Sequence, residues 1–186
     1  ESAMYKSTDA GKTFDKITNG LPGGDIGRIA MAVSPVNPDV VFAMLEGHGF
    51  YKSTDRGASW NKTSSHATSG NYYVEIYAHP TDVNTIYSMD TYGHVSYDGG
   101  NSFGSINEGK KHVDNHCMWI DPANTDHMIW GCDGGVYETF DNMKNWGWKA
   151  NLPTIQFYRV ATDNAEPFYN VYGGTQDNNS LGGPSR

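Results

Sequence analysis

The stretch STDRGASW at residues 53–60 recurs along the chain at a nearly constant interval. Its copies are STDAGKTF at 7–14, SYDGGNSF at 96–103 and, with Met143 where the others have Gly, TFDNMKNW at 139–146. Successive copies start 43 to 46 residues apart, close to the length of a four-stranded propeller blade. The interval therefore predicts a repeat protein.

Short runs of β-forming residues separated by turn residues lie between the copies, with no competing helical periodicity. In one unit, residues 26–33, 40–45 and 50–53 are typical of strands, and the motif forms the turn into a fourth strand near Trp60. We predict an all-β fold, a β-propeller of four-stranded blades with about four blade equivalents per chain. The expected units are blade halves at 1–20 and 153–186 and full blades at 21–64, 65–108 and 109–152.

The two ends of the chain are predicted to be complementary. The N-terminal half supplies the third and fourth strands of a blade, and the C-terminal half supplies the first and second. Two chains that exchange these halves would form an eight-bladed ring without open sheet edges, which predicts a homodimer. A strained four-bladed ring and a piece of a longer propeller are the alternatives.

The charge of the chain limits its partners. The 186 residues contain 13 Lys and Arg against 21 Asp and Glu, for a formal net charge of −8. Such a balance does not favour the basic face that neutralises phosphates, so we expect no nucleic acid. We also expect no membrane, because no apolar run approaches the roughly 18 residues of a spanning helix.

The repeated motif resembles the Asp-box, or bacterial neuraminidase repeat, whose signature is Ser-x-Asp-x-Gly-x-Thr-Trp. The stretches HVDNH at 112–116, DGGVY at 133–137 and GGTQDN at 173–178 are similar to bacterial proteins described as sortilin-like or xyloglucanase-like glycosyl hydrolases. The resemblance covers nearly the whole chain. It implies a secreted or periplasmic protein that acts on carbohydrate, with the motif turns on the face opposite the ligand.

Carboxylates and imidazoles collect on the other face of the predicted blades, in the loops before the first strand and between the second and third strands. His112, Asp114 and His116 alternate, so an extended strand would place them on one side, as a metal site requires. We predict a divalent transition metal, Zn²⁺, Mn²⁺, Fe or Ni. Its expected ligands are His48, His94, His112 and His116. The alternative is that these histidines bind loop backbones and neighbouring carboxylates.

Three functions follow from this face. The leading one is an enzyme, a hydrolase whose metal-bound water attacks an ester or phosphoester, with Asp114 and Asp133 as catalytic residues. The second is glycoside hydrolysis by two carboxylates. The third is binding of a glycan or peptide without catalysis. For a small-molecule or glycan substrate, the expected contacts are Tyr72, Tyr92, Gln176 and Asp177.

Overall fold

The computed structural model of the chain describes residues 2–69, 74–151, 157–175 and 179–186. These residues form seventeen β-strands and no helix. The all-β prediction is therefore confirmed. Within these ranges, nothing forms a helix long and apolar enough to cross a membrane.

The strands form five antiparallel sheets, numbered here in chain order. Sheet 1 contains β1 (Tyr5–Lys6) and β2 (Asp15–Lys16). Sheet 2 contains β3 (Ile29–Val33), β4 (Val41–Leu45), β5 (Gly49–Ser53) and β6 (Asn61–Ser64). Sheet 3 contains β7 (Glu75–Ala78), β8 (Ile86–Met89), β9 (His94–Ser96) and β10 (Gly104–Ser105). Sheet 4 contains β11 (Asn115–Ile120), β12 (Met128–Cys132), β13 (Gly135–Thr139) and β14 (Gly147–Trp148). Sheet 5 contains β15 (Phe157–Thr162), β16 (Asn170–Thr175) and β17 (Ser180–Pro184).

The first four sheets pack face to face in sequence order. Alternate residues of β4 enter different cores: Ala43 and Leu45 pack with Met4 of the sheet 1 side, whereas Phe42 and Met44 pack with sheet 3. A third core between sheets 3 and 4 is centred on the fully buried Trp130. Because both faces of β4 are covered, it reads as a continuous apolar run, VFAML, and not as an alternation. Such stacked four-stranded sheets are the predicted propeller blades.

The repeated motif forms the turn between the third and fourth strands of a sheet. Asp55 Oδ1 accepts hydrogen bonds from the Ser59 N–H at 2.8 Å and the Ser53 hydroxyl at 2.7 Å. Bonds from the Ser59 hydroxyl and N–H and from Ser53 lower the pKa of Asp55 to about 2. Arg56 and Gly57 have φ values of 60° and 76°. The Asp is therefore a structural residue that holds two successive left-handed residues in a turn.

The fourth copy keeps this geometry without its glycine. Met143 has a φ of 64°, and its N–H donates to the Thr139 hydroxyl at 3.1 Å. The side chain is 5% exposed and packs in the core between sheets 3 and 4. Apolar burial therefore offsets the left-handed conformation of a residue with a Cβ.

The glycine of the motif also allows close contact between sheets. Gly100, with a φ of 89°, lies against the Phe50 ring, and a Cβ there would overlap that ring. We expect Gly100→Ala to lower the free energy of unfolding by about 2 to 5 kcal/mol, from left-handed strain plus overpacking. Urea denaturation followed by circular dichroism measures the change.

Gly11→Ala is the matched control, because Gly11 occupies the same motif position with a φ of 84°. A Cβ at Gly11 would meet only Phe14 Cζ, at 3.9 Å. This variant should therefore lower the free energy of unfolding only by the cost of the left-handed conformation, about 1 to 2 kcal/mol. Equal losses in the two variants would show that the Phe50 contact contributes nothing.

One face of sheet 2 is only half covered by the described residues. Met31 and Val33 on β3 are 60% and 56% exposed, although Ala43 and Leu45 on the neighbouring β4 are buried. Sheet 1 supplies just two strands, which cover the outer part of this face. The inner part, next to β3, has no covering strand in the described ranges.

Sheet 5 has one strand more than the two expected at the C-terminus. β17 pairs along β16, with Tyr172 opposite Gly182. In the predicted dimer, β1 of a second chain would pair with this same edge of β16. Sheet 5 contacts none of the other described strands. The homodimer stays a prediction, and it requires β17 to leave this edge.

Candidate functional site

Three connecting segments meet at one end of sheets 3 and 4. They are the β8–β9 turn at 90–93, the segment 106–114 before β11, and the β12–β13 turn at 133–134. The Asp114 N–H donates to Thr91 O at 2.8 Å, and the Asp133 N–H donates to Asp114 O at 3.2 Å. These bonds bring Asp114, Asp133 and the turn that carries Tyr92 together. We call this cluster, with His116, the loop site.

His116 is the imidazole of the loop site. Its Nε2 lies 2.6 Å from Asp133 Oδ1, and the two side chains are 43% and 12% exposed. The register of β11 against β12 shifts between Asn115 and Cys117, so His116 sits in a β-bulge. Bulges redirect side chains and are frequent beside active sites. Here the bulge allows His116 to reach across to the β12–β13 turn.

Asp114 has an unusual backbone conformation. Its φ is 61°, in the left-handed region that residues with a Cβ seldom adopt. Gly27, in the corresponding segment before β3, has a φ of 76°. Sheet 4 therefore carries a carboxylate at a backbone position that suits glycine. Among the described non-glycine residues with a positive φ, Asp114 is the one that lies outside the turns of the repeated motif, which favours a functional role for it.

The predicted alternation of His112, Asp114 and His116 along one strand is wrong. Strand β11 begins only at Asn115, and both the left-handed Asp114 and the bulge at His116 interrupt the two-residue period. His112 instead packs against Gly134, and its Nδ1 lies 3.0 Å from Val113 O. Its ring thus contacts the edge of the loop site without joining His116 in a row.

The remaining predicted metal ligands lie elsewhere. His48 is in the β4–β5 turn of sheet 2, and the His94 ring lies 5.1 Å from that of His66. In the part of the chain that the structure describes, no group of three or more His, Cys, Asp or Glu side chains could hold a metal ion. The structure therefore does not bring three or more of the predicted ligands together within the described ranges, and the transition metal stays a prediction.

Of the four predicted substrate contacts, the structure describes Tyr92. Tyr92 is 58% exposed on the β8–β9 turn, beside the loop site. Tyr72, Gln176 and Asp177 lie outside the described residues. Sequence reasoning missed three buried partners of the loop site, Glu108, Lys111 and Asn115. Charged residues in a loop, such as Glu108 and Lys111, are usually exposed, and polar residues such as Asn are also mostly exposed.

The two cysteines are free thiols. In the strand register, Cys117 faces Gly131 and Cys132 faces Asn115, so the thiols are not cross-strand partners. Burial raises the pKa of the Cys132 thiol.

Comparison with known proteins places this fold in a family. The family model described as "Sortilin, neurotensin receptor 3", Sortilin-Vps10, matches residues 2–94, which is half of the chain. The chain belongs to the Sortilin-Vps10 family. The likeness to sortilin-like proteins expected from the sequence is thereby confirmed, and the relatives named xyloglucanase confirm the likeness to xyloglucanase-like proteins.

Sequence relatives of this Sortilin-Vps10 chain include two kinds of protein. A xyloglucanase of Hypocrea jecorina is 33% identical over 98 residues, which cover 49% of this chain and 11% of the relative. A vacuolar protein sorting/targeting protein 10 of Sordaria macrospora is 30% identical over 84 residues, covering 45% of this chain and 5% of the relative. The chain thus matches about a tenth or less of these relatives' lengths.

Solved structures resemble the Sortilin-Vps10 chain over nearly its whole length. The GH74 enzyme of Niastella koreensis aligns with a TM-score of 0.60 at 22% identity, over 97% of this chain and 27% of that one. The GH74 xyloglucanase of Xanthomonas campestris aligns with a TM-score of 0.50 at 17% identity, over 83% and 28%. At this identity the likeness shows the fold, a partial propeller.

Two histidines of the Sortilin-Vps10 chain, His66 and His94, lie together between sheets 2 and 3. The His66 ring stacks on Phe103 at 3.9 Å, and its Nε2 lies 3.0 Å from the Oγ of the buried Ser88. Burial and the neighbouring His94 lower the pKa of His66 to about 4, opposed in part by Asp90. His66 is therefore neutral in the folded chain at neutral pH.

This shift predicts acid sensitivity. An unfolded histidine titrates near 6.5, so the unfolded chain takes up the His66 proton first as the pH falls. The His66 contribution to stability is complete above pH 6.5 and is lost as the pH falls towards 4. We expect His66→Gln to flatten the pH dependence of urea denaturation in this window. His48→Gln is the control, and identical slopes for His66→Gln and the parent chain would contradict the prediction.

Proposed function

We propose that this chain is part of a carbohydrate-active propeller that hydrolyses a polysaccharide of the xyloglucan class at the loop site. The observation that carries the proposal is the juxtaposition of Asp114 and Asp133, joined through the Asp133 N–H and Asp114 O at 3.2 Å. Glycoside hydrolysis commonly needs two carboxyl groups roughly 5 to 10 Å apart. The relatives named xyloglucanase support the choice of polymer.

The contact between Asp133 and His116 suggests which carboxyl group takes which role. As an Nε2–H donor, His116 would fix Asp133 as a hydrogen-bond acceptor, which suits a base that takes a proton from water. Asp114, on the adjoining segment, is the proposed proton donor. In the proposed step, Asp133 takes a proton from water as the water oxygen bonds to the anomeric carbon, the glycosidic C–O bond breaks, and the leaving oxygen takes the Asp114 proton.

Substrate binding is assigned to the exposed side of the loop site. Tyr92, 58% exposed, offers an aromatic face on which a sugar ring can stack. Tyr72, Gln176 and Asp177 stay predictions as further contacts. Because a wall polysaccharide lies outside the cell, the same proposal implies a secreted or periplasmic protein.

A second candidate is ligand binding without turnover. It is favoured by the family match, because the matching family model is described as a receptor. Metal-assisted ester hydrolysis has no comparable support, since the described residues lack a metal-binding group.

The test is release of reducing ends from xyloglucan by the whole chain, measured with and without chelator, beside calorimetric titration of xyloglucan oligosaccharides. We expect turnover that the chelator does not change. Saturable binding with no released ends would replace hydrolysis by the second candidate. No binding and no turnover on xyloglucan would overturn both carbohydrate functions for this site.

A further inference from the structure

A buried charged residue lies directly beneath the loop site. The Lys111 side chain has no exposed surface, and its Nζ lies 5.3 Å from the Trp130 ring centre and 5.7 Å from that of Trp146. It donates to Glu108 Oε1 at 2.9 Å, to His112 O at 2.9 Å and to Asn115 Oδ1. All three protons of the ammonium group are thus used within the segment that leads into β11.

Glu108 and Asn115 extend this network to the neighbouring turn. Asn115 Nδ2 donates to Glu108 Oε1 at 2.8 Å and to Asp90 O at 3.2 Å. Glu108 Oε2 accepts a hydrogen bond from the Gly93 N–H at 3.2 Å. The network therefore connects both ends of the β8–β9 turn, which carries Tyr92, to His112, two residues before Asp114, and to Asn115, directly after it.

The energetics of a buried ion pair indicate what such a network does. Burying two charges costs several kcal/mol each, and apolar residues of similar volume often give equal or greater stability. The Trp130 and Trp146 rings beside Lys111 show that an apolar side chain would suit this position. What an apolar side chain could not do is hold His112 O and Asn115 at fixed distances, because those contacts are directional hydrogen bonds.

We propose that Glu108, Lys111 and Asn115 form a positioning unit that sets Asp114 against the β8–β9 turn and so aligns it with Asp133. This inference rests on the proposed function for its catalytic consequence. The unit has a structural consequence of its own: the Asp114 and Asn115 N–H groups donate to Thr91 O and Asp90 O at 2.8 and 3.0 Å only while the unit holds the segments together.

The decisive variant is Glu108→Gln combined with Lys111→Met, which removes both charges and leaves neither unpaired. By amide hydrogen exchange, we expect the Asp114 and Asn115 N–H groups to exchange about tenfold faster, as for the loss of one to two hydrogen bonds. The Trp130 N–H in the β12–β13 ladder should keep its rate. Lys110→Met, at the exposed neighbouring lysine, is the matched control and should change neither.

If the double variant does not fold, Glu108→Asp answers the same question, because it keeps the charge but shortens the reach to the Gly93 N–H. Unchanged exchange at Asp114 and Asn115 in a folded variant would overturn the positioning unit. Faster exchange at these two amides, with the ladder unaffected, supports it.

The catalytic consequence is measured separately. In the folded variant we expect kcat on xyloglucan to fall about 10- to 100-fold, because Asp114 is displaced relative to Asp133. A rise in KM would report release of the β8–β9 turn that carries Tyr92, which the same unit holds at Gly93. An unchanged kcat beside faster exchange would overturn the link to catalysis. If the parent chain shows no turnover, the proposed function fails, and the exchange data still decide whether the unit positions the segment.

Discussion

Asp133→Asn should lower kcat on xyloglucan by about 10²- to 10⁴-fold, the usual range for removal of a general base. The amide keeps the size of the carboxylate but cannot accept a proton from water. KM should change little, because Tyr92 and the backbone of the β12–β13 turn are retained. Reducing-end assays over a range of substrate concentrations separate the two constants, and circular dichroism checks that the variant is folded.

The matched control for this variant is Asp126→Asn. Asp126 is an exposed aspartate of sheet 4, in the turn between β11 and β12, away from the loop site. We expect its kcat to equal that of the parent chain. A kcat for Asp133→Asn above about half the parent value would exclude Asp133 as the base and remove the main support for hydrolysis at the loop site.

A variant at His116 should give a kcat between those of the parent chain and Asp133→Asn. His116→Phe removes the partner 2.6 Å from Asp133 but keeps a ring of similar size at the bulge. If His116 only orients Asp133, its loss should lower kcat less than loss of the carboxylate itself. The order of the two variants therefore distinguishes a positioning imidazole from a catalytic one.

Much of the fold could be predicted because the repeat carries several consistent signals. The Asp, Gly and aromatic positions of the motif each have a separate structural cause, as Asp55, Gly57 and Trp60 show in sheet 2. The spacing between copies then fixes the number of strands per sheet. The loops that share a face follow from this topology alone, which is why Asp114 and Asp133 could be named together before their geometry was known.

The details of the loop site could not be predicted because they depend on the backbone. Nothing in the residue type of Asp114 dictates a φ of 61°, and nothing in HVDNH marks the bulge at His116. A single left-handed residue changes the direction of every side chain before it, so the alternation of imidazoles and carboxylate failed. The predicted metal site depended on that alternation and on histidines from two other segments.

Lys111 was missed for a different reason. A lysine preceded by Gly109 and Lys110 in a polar loop has the sequence features of an exposed residue. Its burial depends on Trp130 and Trp146, which lie 19 and 35 residues further along the chain, and on Glu108 being held by the Gly93 N–H. Long-range contacts of this kind leave no local pattern in a single sequence.

Trp130→Ala should destabilise the chain by about 3 to 5 kcal/mol, the range for removing a large buried side chain. Trp130 is fully buried, with its ring 5.7 Å from that of Trp146 and 6.3 Å from that of Tyr87. Its removal opens a cavity between sheets 3 and 4 and leaves the Lys111 ammonium group without one of its two rings. Urea denaturation followed by circular dichroism measures the loss without relying on tryptophan fluorescence.

Two further variants test the origin of that loss. Trp130→Phe separates the effect of side-chain volume from that of polarity, and Trp148→Ala is the control at an exposed position. Trp130 Nε1 has no hydrogen-bond partner among the described residues, so Trp130→Phe removes an unsatisfied donor together with part of the ring. We expect it to cost less than half as much as Trp130→Ala. Trp148→Ala, at a 60% exposed tryptophan of the same sheet, should cost about 1 kcal/mol or less. Equal losses at Trp130 and Trp148 would mean that the core between sheets 3 and 4 does not hold the blades together, and the loop site built across those two sheets would lose its support.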